Sequence, residues 1–93
     1  MINGDANYFL ECVYDLHELI HIYHDKKYFI QGYGGWNEKP YTLEVQLWEP
    51  EEKMLWNYSS ENIQDCYEAY LNAPLYDGKV FWDAEQEIEW VDE

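Results

Sequence analysis

Residues 41–48 alternate between apolar and more polar side chains, and this pattern constrains the fold more than any other in the chain. Successive side chains of a β-strand point to opposite faces of the sheet, so strict alternation predicts a strand with one buried face and with Trp48 on the other face. After a turn, residues 54–58 predict a strand that returns beside the first. Two apolar runs on either side of a polar pair beginning at Asp25 predict a β-hairpin over residues 21–31.

Three further segments predict helices because their apolar residues recur at helical spacing. The first helix is expected over about residues 6–19. The second follows a serine pair at Ser59, which can cap it, and should end before Pro74. The tail fits two interpretations: we prefer a helix over about residues 79–88, and the alternative is a short strand at residues 88–90.

Together these elements predict an α+β fold in the order α-β-β-β-β-α-α. The expected architecture is a small antiparallel β-meander of three to four strands, with two to three helices packed on one face. A chain of 93 residues can build only one hydrophobic core, so residues 1–93 are expected to form a single acidic domain. Aromatic residues make up 19% of the chain, which excludes intrinsic disorder.

The charge of the chain is strongly one-signed. It contains 20 acidic residues and five lysines but no arginine, and its net charge is −15. Phosphate groups are bound by cationic side chains, so direct binding to nucleic acid or to an anionic membrane is not expected. The first residues lack the pattern of a signal peptide, and no apolar run approaches the ~18 residues of a membrane helix. We therefore expect a cytoplasmic protein.

The chain contains two cysteines, Cys12 and Cys66. Their spacing is not that of a metal site. We expect two reduced thiols packed as small apolar side chains, because disulfides are rare in the cytoplasm. The alternative is a single disulfide bridge between two helices.

One motif resembles a catalytic signature. Residues 17–21 read His17-Glu18-Leu19-Ile20-His21. This sequence resembles the signature of zincin metallopeptidases, in which two histidines one helical turn apart hold zinc and the glutamate acts as general base. The resemblance would imply a small zinc-dependent hydrolase using the two histidines and the glutamate.

Three features of the surrounding sequence argue against that interpretation. Residues from Ile20 onward predict a strand, and the two histidines share a face only on a continuous helix. His24 lies about 10 Å further along a helix from His17, too far to bind the same ion. Zincins also place strands before the active helix, whereas only sixteen residues precede His17. We therefore predict no enzyme activity, no metal site and no cofactor, with His17 exposed to solvent and His21 and His24 on the hairpin.

The C-terminal segment carries the densest run of acidic residues. Its candidate binding residues are Asp83, Glu85, Glu87, Glu89 and Asp92. On a helix, like charges four residues apart destabilise by about 0.2–0.5 kcal/mol per pair, so the sequence accepts a small cost to keep this face negative. We predict a non-enzymatic module that binds a basic protein, as an inhibitor or as a DNA mimic, with Trp48 as an anchor. The alternative explanation of the acidic residues is solubility.

Two segments of the chain carry a resemblance to other proteins. Residues 26–33 and residues 71–79, together with the acidic ending, resemble a group of short, acidic, uncharacterised bacterial proteins over about residues 20–93. That group has no assigned activity, so the resemblance implies no functional residue. In size, acidity and element order the chain is also similar to small phage anti-CRISPR proteins and DNA-mimic inhibitors, in architecture alone.

Exposed aromatic residues suggest one more alternative. The chain could be a domain that binds a small ligand through Trp48 or Trp36. Aromatic side chains dominate the lining of small-molecule sites, which is the reason to consider them. The sequence leaves the ligand and the oligomeric state open.

Overall fold

A five-stranded antiparallel sheet forms the centre of the computed structural model, which describes residues 1–91. The elements follow in the order α1 (Ala6–Tyr14), β1 (Leu19–Tyr23), β2 (Lys26–Tyr33), β3 (Tyr41–Glu49), β4 (Lys53–Ser60), α2 (Ile63–Asn72), α3 (Phe81–Ala84), a 3₁₀ turn (Glu85–Glu87) and β5 (Ile88–Val91). In space the strands lie in the order β4-β3-β2-β1-β5. The predicted α+β class and the element order are confirmed, with a fifth strand added at the end of the chain.

Helix α1 ends earlier than the sequence predicts. Asp5 caps its N-terminus by accepting a hydrogen bond from the backbone N–H of Asn7 at 2.9 Å. At the other end, Leu16 adopts a positive φ of 64° and the N–H of His17 donates to the carbonyl of Cys12 at 3.0 Å. This is the Schellman arrangement that closes a helix, and it usually uses glycine in the left-handed position. The prediction that this helix continues to residue 19 is therefore wrong.

Helix α2 matches its predicted position but not its predicted cap. Asn62 is the N-cap, and its side chain accepts a hydrogen bond from the N–H of Gln64 at 2.9 Å. The helix buries Cys66 and Tyr70 and ends at Asn72, before the proline that was expected to stop it.

The C-terminal segment is mostly not helical, so the preferred prediction of a helix over residues 79–88 is wrong. Helix α3 covers four residues, and the chain then turns into β5, which pairs with β1. Ile20 lies opposite Val91 and Tyr23 lies opposite Ile88 in this pairing. Ile88 is fully buried, and its strand conformation directs its side chain toward the helices. The short-strand alternative is correct.

One hydrophobic core joins the three helices to the inner face of the sheet. Its fully buried side chains include Phe9, Val13, Tyr23, Val45, Tyr70, Tyr76, Phe81, Ala84 and Ile88. Cys12 and Cys66 lie in this core as free thiols, as expected, and the alternative disulfide is absent from residues 1–91. Burial raises the pKa of both thiols. Both cysteines therefore pack as small apolar side chains.

The two edges of the sheet differ. The N-terminal segment covers the edge of β5: the N–H of Ile2 donates to the carbonyl of Ile88 at 2.9 Å. The side chain of Asn3 accepts a hydrogen bond from the N–H of Trp90 at 2.7 Å and donates to its carbonyl at 2.5 Å. The opposite edge strand, β4, carries Lys53 and a bulge at Leu55, two features that discourage pairing with another chain.

Candidate functional site: the open face of the sheet

The helices pack against one face of the sheet, and within residues 1–91 no helix packs against the other. We call the second surface the open face. From the strand registers, its side chains are those of Ile20, Ile22, Lys27, Phe29, Gln31, Tyr33, Thr42, Glu44, Gln46, Trp48, Glu49, Met54, Asn57, Ser59, Glu89 and Val91. The face therefore combines a largely apolar half on β5, β1 and β2 with a polar half on β3.

Trp48 lies on the open face near the end of β3, at a bulge in that strand. Lys27 pairs with Glu49 and Tyr28 pairs with Leu47, which leaves Trp48 as the extra residue between them. The indole ring stacks on Phe29, with ring centroids 4.6 Å apart and planes 19° apart. The prediction that Trp48 lies on the outer side of the sheet agrees with this position.

A chain of hydrogen bonds fixes the orientation of Trp48 and ends at a carboxylate. The indole Nε1–H donates to the Gln46 side-chain oxygen at 3.1 Å, and the Gln46 amide donates to Glu44 Oε1 at 3.1 Å. The amide of Gln31 donates to the same Glu44 oxygen. Only 8% of Glu44 is exposed, and no cationic group among residues 1–91 forms an ion pair with it. The Glu44 carboxyl group is therefore held by two amide donors and has no cationic partner among the described residues.

Two cavities share Trp48 as a wall. The first, of about 420 Å³, is also lined by Phe29, His17, Glu18 and Trp90 among others. The second, of about 340 Å³, is lined by Trp48, Glu49 and Glu52. Both cavities that border Trp48 thus also border acidic side chains, and Phe29 lines the first cavity but not the second.

The structure separates the acidic residues that the sequence grouped at the C-terminus. Glu89 is exposed on β5 and belongs to the open face with Trp48. Asp83 is exposed on α3, outside that face. Glu85 accepts from the amino-terminal nitrogen of Met1 at 2.5 Å. Glu87 forms a hydrogen bond with His24. Asp92 lies outside the described residues.

A polar cluster connects the β1–β2 turn to the segment before β5. His24 Nε2 lies 3.0 Å from a Glu87 oxygen, and His24 Nδ1 lies 3.4 Å from an Asp77 oxygen. Lys26 donates a hydrogen bond to Asp77, and this bond is the main reason that the pKa of the Asp77 carboxyl is lowered. Glu87 and Asp77 are thus engaged within the molecule.

The histidines of the zincin-like motif lie in different environments. His17 and Glu18 are exposed in the connection between α1 and β1, as expected. His21 is fully buried in β1, and its Nε2 lies 2.9 Å from the hydroxyl of Tyr76, so its predicted place on the hairpin surface is wrong. Burial lowers the pKa of His21 to about 3. Residues 17–21 therefore lack the continuous helix on which the signature depends.

Trp36, the other tryptophan considered for ligand binding, lies in the connection between β2 and β3. It is 57% exposed and lines two cavities: one is also lined by Glu38, Lys39 and Tyr41, and the other by Tyr33 and Thr42, which lie on the open face at the opposite end of β3 from Trp48. The structure thus does not bring Trp36 and Trp48 together.

Several residues of the open face were missed by sequence reasoning. Glu44 and Gln46 were assigned only to the polar side of a strand, Glu52 only to a turn, and Glu49 to no element. The sequence does place an acid, Glu44, between the polar residues Thr42 and Gln46 on the strand that carries Trp48. Identifying the face that lacks helices requires the tertiary structure.

No protein-family model, no curated protein and no solved structure matches the chain. Among residues 1–91, no helix combines the length and the apolar character needed to cross a lipid bilayer.

Proposed function

We propose that this protein is a non-enzymatic binding module that engages a basic protein through its open face. The observation that carries the proposal is the carboxylate of Glu44, which lies beneath this face without a counter-ion and is linked by hydrogen bonds to Trp48. A cationic side chain that binds above Glu44 would supply the missing counter-charge. The basic partner inferred from the sequence is kept, and of the C-terminal acids in residues 1–91 only Glu89 belongs to the proposed contact surface.

The remaining charges of the face favour the same kind of partner. Glu49, Glu52 and Glu89 are exposed around Trp48. The cation on this face, Lys27, lies 3.7 Å from Glu49. A negatively charged surface accelerates diffusional encounter with a positively charged one, so these exposed carboxylates support association with a basic protein.

The aromatic centre of the face supports binding rather than solubility alone. A face that served only solubility would have no use for a stacked pair of large aromatic rings. Phe29 and Trp48 form such a pair, and tryptophan is among the residues that contribute most to protein interfaces. We favour a nucleic-acid-binding protein in the cytoplasm as the partner, because its groove binds phosphates and carboxylates can take their place.

A pair of charge-matched variants tests the proposal. The first replaces Glu49, Glu52 and Glu89 on or beside the open face with glutamine. The control replaces three exposed acids on the helical side with glutamine, namely Glu11, Glu61 and Glu68. Both variants lose three negative charges, so they differ only in where the charge is lost.

Binding of a hexalysine peptide is measured by calorimetry at low and at physiological ionic strength. We expect the open-face variant to bind about tenfold more weakly than the unmodified protein, because three exposed ion contacts contribute about 0.5 kcal/mol each. The control should lose about twofold at most, and salt should weaken all binding. Equal losses in the two variants, or affinity that does not depend on salt, would contradict the proposal.

A further inference from the structure

Within residues 1–91, Phe29 is the one aromatic ring that pairs with the indole of Trp48. Phe29 stacks on the ring and lines the cavity of about 420 Å³. The cavity of about 340 Å³ also borders the indole but is not lined by Phe29. Its remaining walls are Glu49 and Glu52, so an aromatic surface and two carboxylates face the same space.

We propose that this second cavity binds an arginine side chain of the basic partner, with the guanidinium stacked on Trp48 and hydrogen-bonded to Glu52. This assignment rests on the proposed function, because it specifies the residue by which the partner is anchored at the same face. An aromatic ring attracts a cation placed over its surface, and tryptophan does so most strongly. The flanking carboxylates accept the N–H groups at the edge of the cation.

The chemistry of the cavity selects arginine over lysine. A guanidinium is planar and weakly hydrated, so it can lie flat on the indole while its edge donates two hydrogen bonds to one carboxylate. An ammonium is a compact and strongly hydrated charge that cannot stack. The chain itself contains no arginine, so no side chain of its own can occupy the cavity in this way.

The two carboxylates are available to a different extent. Glu49 lies 3.7 Å from the ammonium of Lys27, a longer distance than the 2.7–2.9 Å typical of a charge-assisted hydrogen bond. Glu52 is exposed and forms no ion pair with any residue in the described part of the chain. Glu52 is therefore the carboxylate that the guanidinium contacts, and Glu49 adds negative potential beside it.

The test compares two peptides of equal charge, acetylated hexaarginine and acetylated hexalysine, by calorimetry at one ionic strength. We expect hexaarginine to bind about fivefold more tightly to the unmodified protein, the effect of one cation–π contact. Trp48→Leu should abolish this preference, so that the two peptides bind with about equal affinity. Trp36→Leu, which removes an exposed indole elsewhere, should leave it unchanged.

Glu52→Gln provides a second variant at an exposed position, where folding does not depend on the side chain. It should weaken hexaarginine binding about threefold and hexalysine binding less. Equal affinity for the two peptides, or a preference that survives both Trp48→Leu and Glu52→Gln, would overturn the arginine site. If the peptides bind equally and the open-face charge variant still weakens both, the basic-partner function stands without the arginine site. If neither peptide binds, the proposed function itself fails.

Discussion

His21 is expected to make the stability of this protein decrease as the pH falls below neutrality. Its ring is fully buried between Tyr28 and Phe9, and its Nε2 is hydrogen-bonded to Tyr76. Burial lowers the pKa of His21 from 6.5 to about 3. The folded protein therefore keeps this histidine neutral at pH values where the unfolded chain protonates it.

The direction and size of the effect follow from these two pKa values. The contribution of the neutral histidine is fully present above a pH of about 6.5, where neither state binds the proton. As the pH falls toward about 3, the unfolded chain is protonated first and is stabilised relative to the folded state. Between about pH 7 and about pH 5, the free energy of unfolding should decrease by about 2 kcal/mol because of His21.

Urea denaturation at the two pH values measures this loss. His21→Gln is the comparison, since glutamine retains an amide that can bond to Tyr76 but does not titrate. The carboxylates titrate in both proteins, so the difference between the two pH dependences isolates the histidine. The unmodified protein should lose about 2 kcal/mol more than His21→Gln. Equal losses would show that the folded protein protonates His21 and would refute the reasoning.

Two further predictions concern packing. Tyr76→Phe should lower the free energy of unfolding by about 2–4 kcal/mol in urea denaturation, because the Tyr76 hydroxyl contacts both His21 Nε2 at 2.9 Å and the Tyr70 hydroxyl at 2.7 Å. Tyr70→Phe, which removes only one of these contacts, should cost about 1 kcal/mol. Equal losses in the two variants would contradict the central position of Tyr76. Gly32→Ala should lower the thermal midpoint, at a cost of about 1–3 kcal/mol, because its methyl group would lie 2.5 Å from a Leu16 methyl carbon. Gly4→Ala, whose nearest neighbour is 3.6 Å away, is the control, and a similar midpoint for the two variants would contradict the close packing at Gly32.

Local patterns predicted the elements whose geometry is set locally. The alternation over residues 41–48 identified β3, because a period of two is a property of the strand itself. The apolar stripe of α2 likewise placed that helix and its end before Pro74. Both elements bury one face, so the spacing of their apolar residues indicates their conformation directly.

The errors occurred where long-range contacts decide the conformation. Phe81, Ala84 and Ile88 have helical spacing, yet all three are buried by a short helix followed by a strand. The pairing of Ile20 with Val91 helps to establish β5, and the local pattern of the tail fitted a helix as well as a short strand. The end of α1 was missed for another reason, since Leu16 occupies a position that normally selects glycine.

The candidate site was only partly accessible to sequence reasoning. Trp48 was identified because it faces away from the aliphatic residues of its strand. The C-terminal acids were grouped by sequence alone, although Glu85 and Glu87 are bonded to Met1 and His24. The burial of Glu44 and its hydrogen bond from Gln31 depend on a neighbouring strand and could not be recognised in one segment.

The most direct test of the open face as the binding surface is a ¹H–¹⁵N NMR titration with hexalysine that follows the indole N–H signals. Trp48 lies on the open face near the end of β3, whereas Trp36 lies in the β2–β3 connection at the opposite end of that strand and Trp82 lies on α3; both of these are about half exposed. We predict that the Trp48 signal shifts in a saturable, salt-sensitive manner while the signals of Trp36 and Trp82 stay in place. Shifts of equal size at all three indoles, or a stationary Trp48 signal when the peptide is bound, would contradict the proposed binding surface.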